Sequence, residues 1–411
     1  ANVARLNTGT DGSGQKVCAL SDSYNNGDAA TSAADDVESG DLPGVENPNG
    51  NTTPVDILDD RFNGDENLPA SDEGRAMLQL IHDIAPGANL GFHTAVFGGF
   101  AGFVSGIREL ADAGCTIIVD DIRYASEPFY QDGPVTNAID DVVTNDGVAY
   151  FSSAGNDGQR SYEAPFRNSG EPGVLNTSSV RHDFDSSTLT TDTRQEITIR
   201  DGGTFEIFPL QWTDPSARVE GSSGPDTDLD IALVDDSDNV VAQSSDDNIA
   251  NGDPAEILDY TNDTGSTQTL DLVIEKAAGP DPDQIKYIYG ISNNVPNEPD
   301  VVIEEYDVTG PTIYGHPMAE GAMAVAAAPF YNTQEYNSNA DPASLEPFSS
   351  KGGISIRFDQ NGAPLGTPVD REKPDVTGVD GVDNTFFGAD IDDTFFNGVD
   401  ADPHPNFFGT S

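Results

Sequence analysis

Basic residues are scarce in this chain: 18 Lys and Arg stand against 72 Asp and Glu, a net charge of −54. With no basic stripe to meet phosphate, nucleic acid is excluded as a partner, and an anionic membrane surface is disfavoured on the same ground. Apolar runs are short, and none approaches the roughly 20 residues that a membrane-spanning helix needs. Cysteine is nearly absent. Cys18 and Cys115 cannot build a disulfide framework; both open apolar strand-like runs, so they are expected as buried free thiols. No charged and then apolar leader follows Ala1, as expected of a mature or trimmed chain. A metal-ligand helix motif, a phosphate-binding glycine loop and a Gly-x-Ser-x-Gly elbow are also missing.

What is there begins with alternation. Residues 17–20 read as a short apolar strand, and 72–84 as a helix with Ala76, Met77, Leu80, Ile81 and Ile84 on one face. Ser71 is the expected N-cap of that helix, with Asp72 and Glu73 in its first turn and Ala85-Pro86-Gly87 as its stop. A strand at 89–94, a helix at 100–113, a β-branched strand at 116–119, a helix at 135–145 and a strand at 148–152 follow. Strand–helix–strand alternation predicts a mainly parallel sheet with helices on both faces.

The texture changes near Val180. Short β-rich runs separated by Asp, Gly, Asn and Ser turns fill 186–300, the pattern of a small β-sandwich. Its acidic turns, including Asp226, Asp228 and Asp230, either hold a structural Ca²⁺ or are simply solvated. Residues 317–328 return to a helix-like, Ala-rich composition, and 376–408 read as a long ordered loop rich in Gly, Asp and Phe. The expected organisation is therefore 1–185, an insert at 186–305, and 306–411 completing the first unit.

Four segments carry chemistry. Asp22 closes the first apolar run; Asn156 sits in Ser152-Ser153-Ala154-Gly155-Asn156-Asp157 after a strand; Lys373-Pro374-Asp375-Val376 precedes the Phe-rich loop; and Gly409-Thr410-Ser411 follows it. A serine hydroxyl needs a base within reach, an orienting group for that base, and donors for the oxyanion. In this order the segments, with Phe348-Ser349-Ser350-Lys351-Gly352, resemble the subtilisin-like serine peptidases, or subtilases. The resemblance covers about 15–165 and 310–411. It implies a subtilisin-like, doubly wound α/β fold, with Ser411 as nucleophile, Asn156 as oxyanion donor and Asp22 as the orienting aspartate.

Two departures matter. No histidine lies in the subtilase His-Gly-Thr setting: His82, His93, His316 and His404 are all misplaced for it. Counting back from Ala85-Pro86-Gly87-Ala88, Glu73 falls where the sedolisins, the related serine-carboxyl peptidases, carry their catalytic glutamate. The sedolisin partner aspartate would stand at Met77, so Asp22 is expected to take its part as proton partner, with Asp121 as an auxiliary acid. Asn156 departs from the sedolisins and Gly378 from the subtilases. The implied function is endopeptidase cleavage of polypeptides through a serine acyl-enzyme, with carboxyl groups moving the proton and no cofactor required. Acidity of this degree suits high salt, so a secreted protein of a marine or halophilic microbe is expected. The alternative is a degenerate peptidase fold serving extracellular binding or adhesion.

Overall fold

The computed structural model describes residues 2–61, 70–187, 189–291, 299–306, 309–334, 336–391 and 402–411. Seven strands form one sheet in the order Asp56–Asp59, Asn89–Thr94, Lys16–Ser21, Ile117–Asp120, Ala149–Ser153, Ala322–Pro329 and Val376–Asp380. Every neighbouring pair in it is parallel. From the first strand the chain runs to one side of the sheet and then returns to the other. The order therefore reverses beside Lys16–Ser21, and at such a switch point the carboxyl ends of the strands open a crevice.

The first strand is buried on both faces. Val17 and Ala19 pack with Leu78, Leu90 and Phe92 under the helix Glu73–Ile84. Cys18 and Leu20 turn the other way, to Phe103 and Ile107 of the helix Gly99–Asp112 and Ile139 of the helix Pro134–Asn145. Gly74 lets the helix Glu73–Ile84 come down on this strand: a Cβ there would stand 2.4 Å from the Phe92 ring and 2.9 Å from Ser21.

Two expectations are corrected. Cys18 and Cys115 are not free thiols but a disulfide with a Cα–Cα distance of 6.0 Å, tying the first strand to the turn before Ile117–Asp120. Their separation of 97 residues conceals a neighbourhood created only by the parallel pairing of Val17 with Ile117. The Ala-rich stretch is not a helix either. A 3₁₀ turn, His316–Met318, leads into the strand Ala322–Pro329, which is paired on both sides. Small alanines suit a strand covered on both faces, and tertiary pairing overrides their helix propensity.

The insert is two antiparallel sheets. One has Thr204–Trp212 and Ile285–Ile291 at its centre; the other is built around Asp228–Val234 and Gln268–Ala278. Phe205, Ile207 and Trp212 of the first meet Leu229, Ile231 and Leu272 of the second in one core. Strand pairing in this unit already includes Ser161–Ala164. Gln211 joins it to the parallel unit, accepting from the Phe129 N–H at 2.9 Å and donating to the Glu127 carbonyl at 2.8 Å. No helix among the described residues is long and apolar enough to cross a membrane.

Candidate active site

Asp22 follows directly on the first strand, at the crevice. Its carboxylate accepts five bonds: from Ser23 N–H and Oγ (2.6 and 2.9 Å), Ser71 N–H and Oγ (2.7 and 2.9 Å), and Glu73 N–H (3.1 Å). It thus satisfies the amino end of the Glu73 helix from outside. The N-cap is Asp72 rather than Ser71; its φ is 58° and its side chain makes no capping bond. Asp72 instead accepts from Asn26 and Gly27 N–H at 2.7 and 2.9 Å. The helix start is therefore held by two aspartates, and Glu73 is fixed at the first helical position.

From there the Glu73 carboxyl comes close enough to the Ser411 side chain and the Asp121 carboxyl for both to affect its titration, with Asp22 nearby. Burial, and then the Asp22 charge, raises its pKa against the lowering effect of the Ser411 and Asp121 contacts. Asp121 stands one residue beyond the strand Ile117–Asp120. Its Oδ2 accepts from Ser21 Oγ at 2.9 Å, while its buried Oδ1 has no donor. Burial, then the facing Glu73, pushes it well above the usual carboxylate range. Two carboxyls that meet with only acceptors between them need a shared proton, and burial enforces it.

The Asp22 oxygens are taken up by five donors, whereas Asp121 Oδ1 has none and stands open toward Glu73. Met77, at the position of the sedolisin aspartate, is buried with Ala76 and Phe407 in an apolar cluster.

The Gly409–Ser411 segment docks on the loop after Ala149–Ser153. Thr410 N–H and Oγ1 donate to Asn156 Oδ1 at 3.0 and 3.1 Å, and Gly155 N–H donates to Thr410 Oγ1 at 3.0 Å. With its oxygen taken, the Asn156 side chain presents its amide nitrogen. That Nδ2 and Ser411 Oγ both lie 3.6 Å from where a Cβ on Gly409 would stand. Asn156 and Ser411 are exposed, as a site open to substrate requires.

The histidines bond elsewhere. His82 meets Asn51 at 3.4 Å, His93 the Thr94 carbonyl at 2.7 Å, and His316 two buried carboxylates. Of the proposed Ca²⁺ ligands, Asp228 accepts from Asn248 N–H at 3.2 Å; Asp230 is buried and pushed up to about 7 by burial, Asp228 and Glu275. Among the described residues no three His, Cys, Asp or Glu side chains gather as a metal site would require.

Sequence reasoning missed Ser21 and Ser71, whose hydroxyls orient the acids, because a serine beside a strand or helix end is too common to signal. It also missed Asp380. That carboxyl closes the last strand of the parallel sheet, accepts from Gly409 N–H at 3.4 Å, and is pushed up to about 7 chiefly by burial.

The chain is thus a doubly wound α/β protein with an inserted β unit and a serine–carboxyl cluster at its switch point. Similar solved structures include the Clostridium perfringens CspB protease, 10% identical, covering 93% of this chain and 78% of that one, with a TM-score of 0.44. MycP1 with its N-terminal propeptide removed is 16% identical over 40% of this chain and 50% of its own, TM-score 0.21. The PatG macrocyclase in complex with peptide is 13% identical over 38% and 55%, TM-score 0.23. No protein-family model matches the sequence, and no curated protein does.

Proposed function

We propose that this chain is a serine-carboxyl endopeptidase of the subtilase type, acting on polypeptides. The observation that carries the reading is the buried Glu73 carboxyl, whose titration is set by both the Ser411 side chain and Asp121. Ser411 Oγ attacks the scissile carbonyl carbon as Glu73 takes its proton. Asn156 Nδ2 donates to the oxyanion. The C–N bond then breaks, Glu73 returns the proton to the leaving amine, and water repeats the sequence on the ester. Asp121 keeps the second proton and directs it at Glu73, tuning that group's basicity. Asp22 holds the helix that carries Glu73. No metal takes part in these steps, and Ca²⁺, if bound, would serve the fold.

Secretion into a saline medium is part of the reading. The disulfide fits an oxidising compartment, and the net charge of −54 fits a salty one.

The test is hydrolysis of unfolded casein from pH 3 to pH 9 by the full protein, with Ser411→Ala and Glu73→Gln alongside. Activity peaking in acid and lost in both variants is expected. A folded protein that is inactive throughout, and takes no fluorophosphonate label on Ser411, would overturn the reading in favour of a binding protein.

A further inference from the structure

Behind the site lies a second group of acids that the reaction above does not use. Successive residues of a strand face opposite sides of the sheet. Asp121 therefore turns to Ser21 and Glu73, while Asp120 turns into the core among the helices. There Asp120 Oδ1 accepts from Ser152 Oγ at 2.8 Å and meets His316 Nε2 at 3.0 Å. The other ring nitrogen, Nδ1, meets Glu127 Oε2 at 2.7 Å, and Glu127 Oε1 accepts from His316 N–H at 3.2 Å. All three side chains are at most 2% exposed.

The turn that brings His316 here requires glycine before it: Gly315 has a φ of 69°, and a Cβ on it would stand 2.5 Å from Glu127 Oε2. An imidazole with a carboxylate oxygen on each nitrogen carries a proton on both. The His316 ring is thus clamped between two buried carboxyls, one on each nitrogen.

We propose that His316 is a positioning residue: with Glu127 it fixes the Asp120 carboxyl behind Asp121, so that Asp121 keeps the proton it shares with Glu73. This rests on the reading of Glu73 and Asp121 given above. The groups facing Asp121 are Glu73, Asp22, Asp120 and the Ser21 hydroxyl. Those facing His316 are Asp120 and Glu127, with the Phe103 ring edge-on at 4.9 Å. Tyr150, beside Asp120, is held neutral by burial and by the Asp120 charge. A negative charge at Asp120 makes ionisation of Asp121 costlier. Its burial away from the crevice shields that effect from salt.

The test is nitrogen NMR of the His316 ring in the wild-type protein, with carbon NMR of the Asp121 carboxyl in the wild type and in Asp120→Asn. Both ring nitrogens are expected to stay protonated from pH 5 to pH 8. The Asp121 midpoint is expected to fall by about one pH unit in Asp120→Asn, because a like charge is removed. Glu127→Gln removes the other carboxyl that holds the His316 ring and should move the midpoint the same way if Asp120→Asn does not fold. A ring that loses a proton below pH 8, or an unchanged midpoint in whichever variant folds, overturns the proposal. Neither readout depends on turnover. An inactive wild type would sink the peptidase reading, while these two results would still decide the role of His316. In an active enzyme, the alkaline limb of kcat/KM in Asp120→Asn should move down by the same amount with KM unchanged.

Discussion

The roles proposed for Asn156 and Glu73 are ones that single substitutions separate. Asn156→Ala removes one oxyanion donor, so kcat should fall about 10²- to 10³-fold with KM little changed. Glu73→Gln keeps the shape but removes the base, with an expected loss of about 10²- to 10⁴-fold in kcat. Steady-state kinetics on one peptide at the pH optimum checks both. The pH profile follows from the raised Glu73 and Asp121. Activity should rise as the pair loses its first proton and fall as it loses the second. Ser411, Asn156 and Glu73 were legible in the sequence because each stands in a motif or at a counted distance from one. The division of parts between Asp22 and Asp121 was less so. Asp22 and Asp121 each follow directly on a strand of the sheet, and only the placement of five donors on Asp22 separates their surroundings.

The helix Glu73–Ile84 and the strand beneath it form a tight joint, and Gly74 is its narrowest point. Gly74→Ala should push the helix from Phe92 and Ser21, costing about 1–3 kcal/mol of stability as overpacking. It should also lower kcat by shifting Glu73; urea unfolding and kinetics on the same sample test this. The Cys18–Cys115 bridge joins the same strand to its other neighbour. The double Cys18→Ala, Cys115→Ala variant should lose about 2–5 kcal/mol in urea, and reduction of the wild type should lower its midpoint likewise. Most elements of the parallel unit were readable from hydrophobic periodicity. The edge strands Asp56–Asp59 and Val376–Asp380 were not, the second lying in what read as a loop, and two further features escaped for one reason. The strand Ala322–Pro329 and the disulfide both depend on which strands lie side by side, and a single sequence does not state pairing.

Acidity governs the molecule as a body. Asp230, Glu256 and Asp380 are each pushed up to about 7 with burial as the main cause, whereas in an unfolded chain they titrate near about 4. A carboxyl with its folded pKa raised contributes stability that is full below the unfolded value and is lost as pH rises through the folded one. His182, lowered to about 3 by burial, acts in the opposite sense, its contribution fading as pH falls below about 6.5. The melting temperature at high salt should therefore be higher at pH 5 than at pH 8, and Asp230→Asn should flatten that slope. Equal slopes in the variant and wild type would contradict this account of Asp230. The two-part architecture was visible as a change of texture, but the seam between its parts was not. Gln211, on the insert, takes the Phe129 N–H and gives its own proton to the Glu127 carbonyl. A shortened chain with a linker in place of the insert would leave those groups unmet, and Glu127 is the seat of His316. The β unit is therefore a keystone: taking it away would unseat the stretch that backs the acids of the parallel unit.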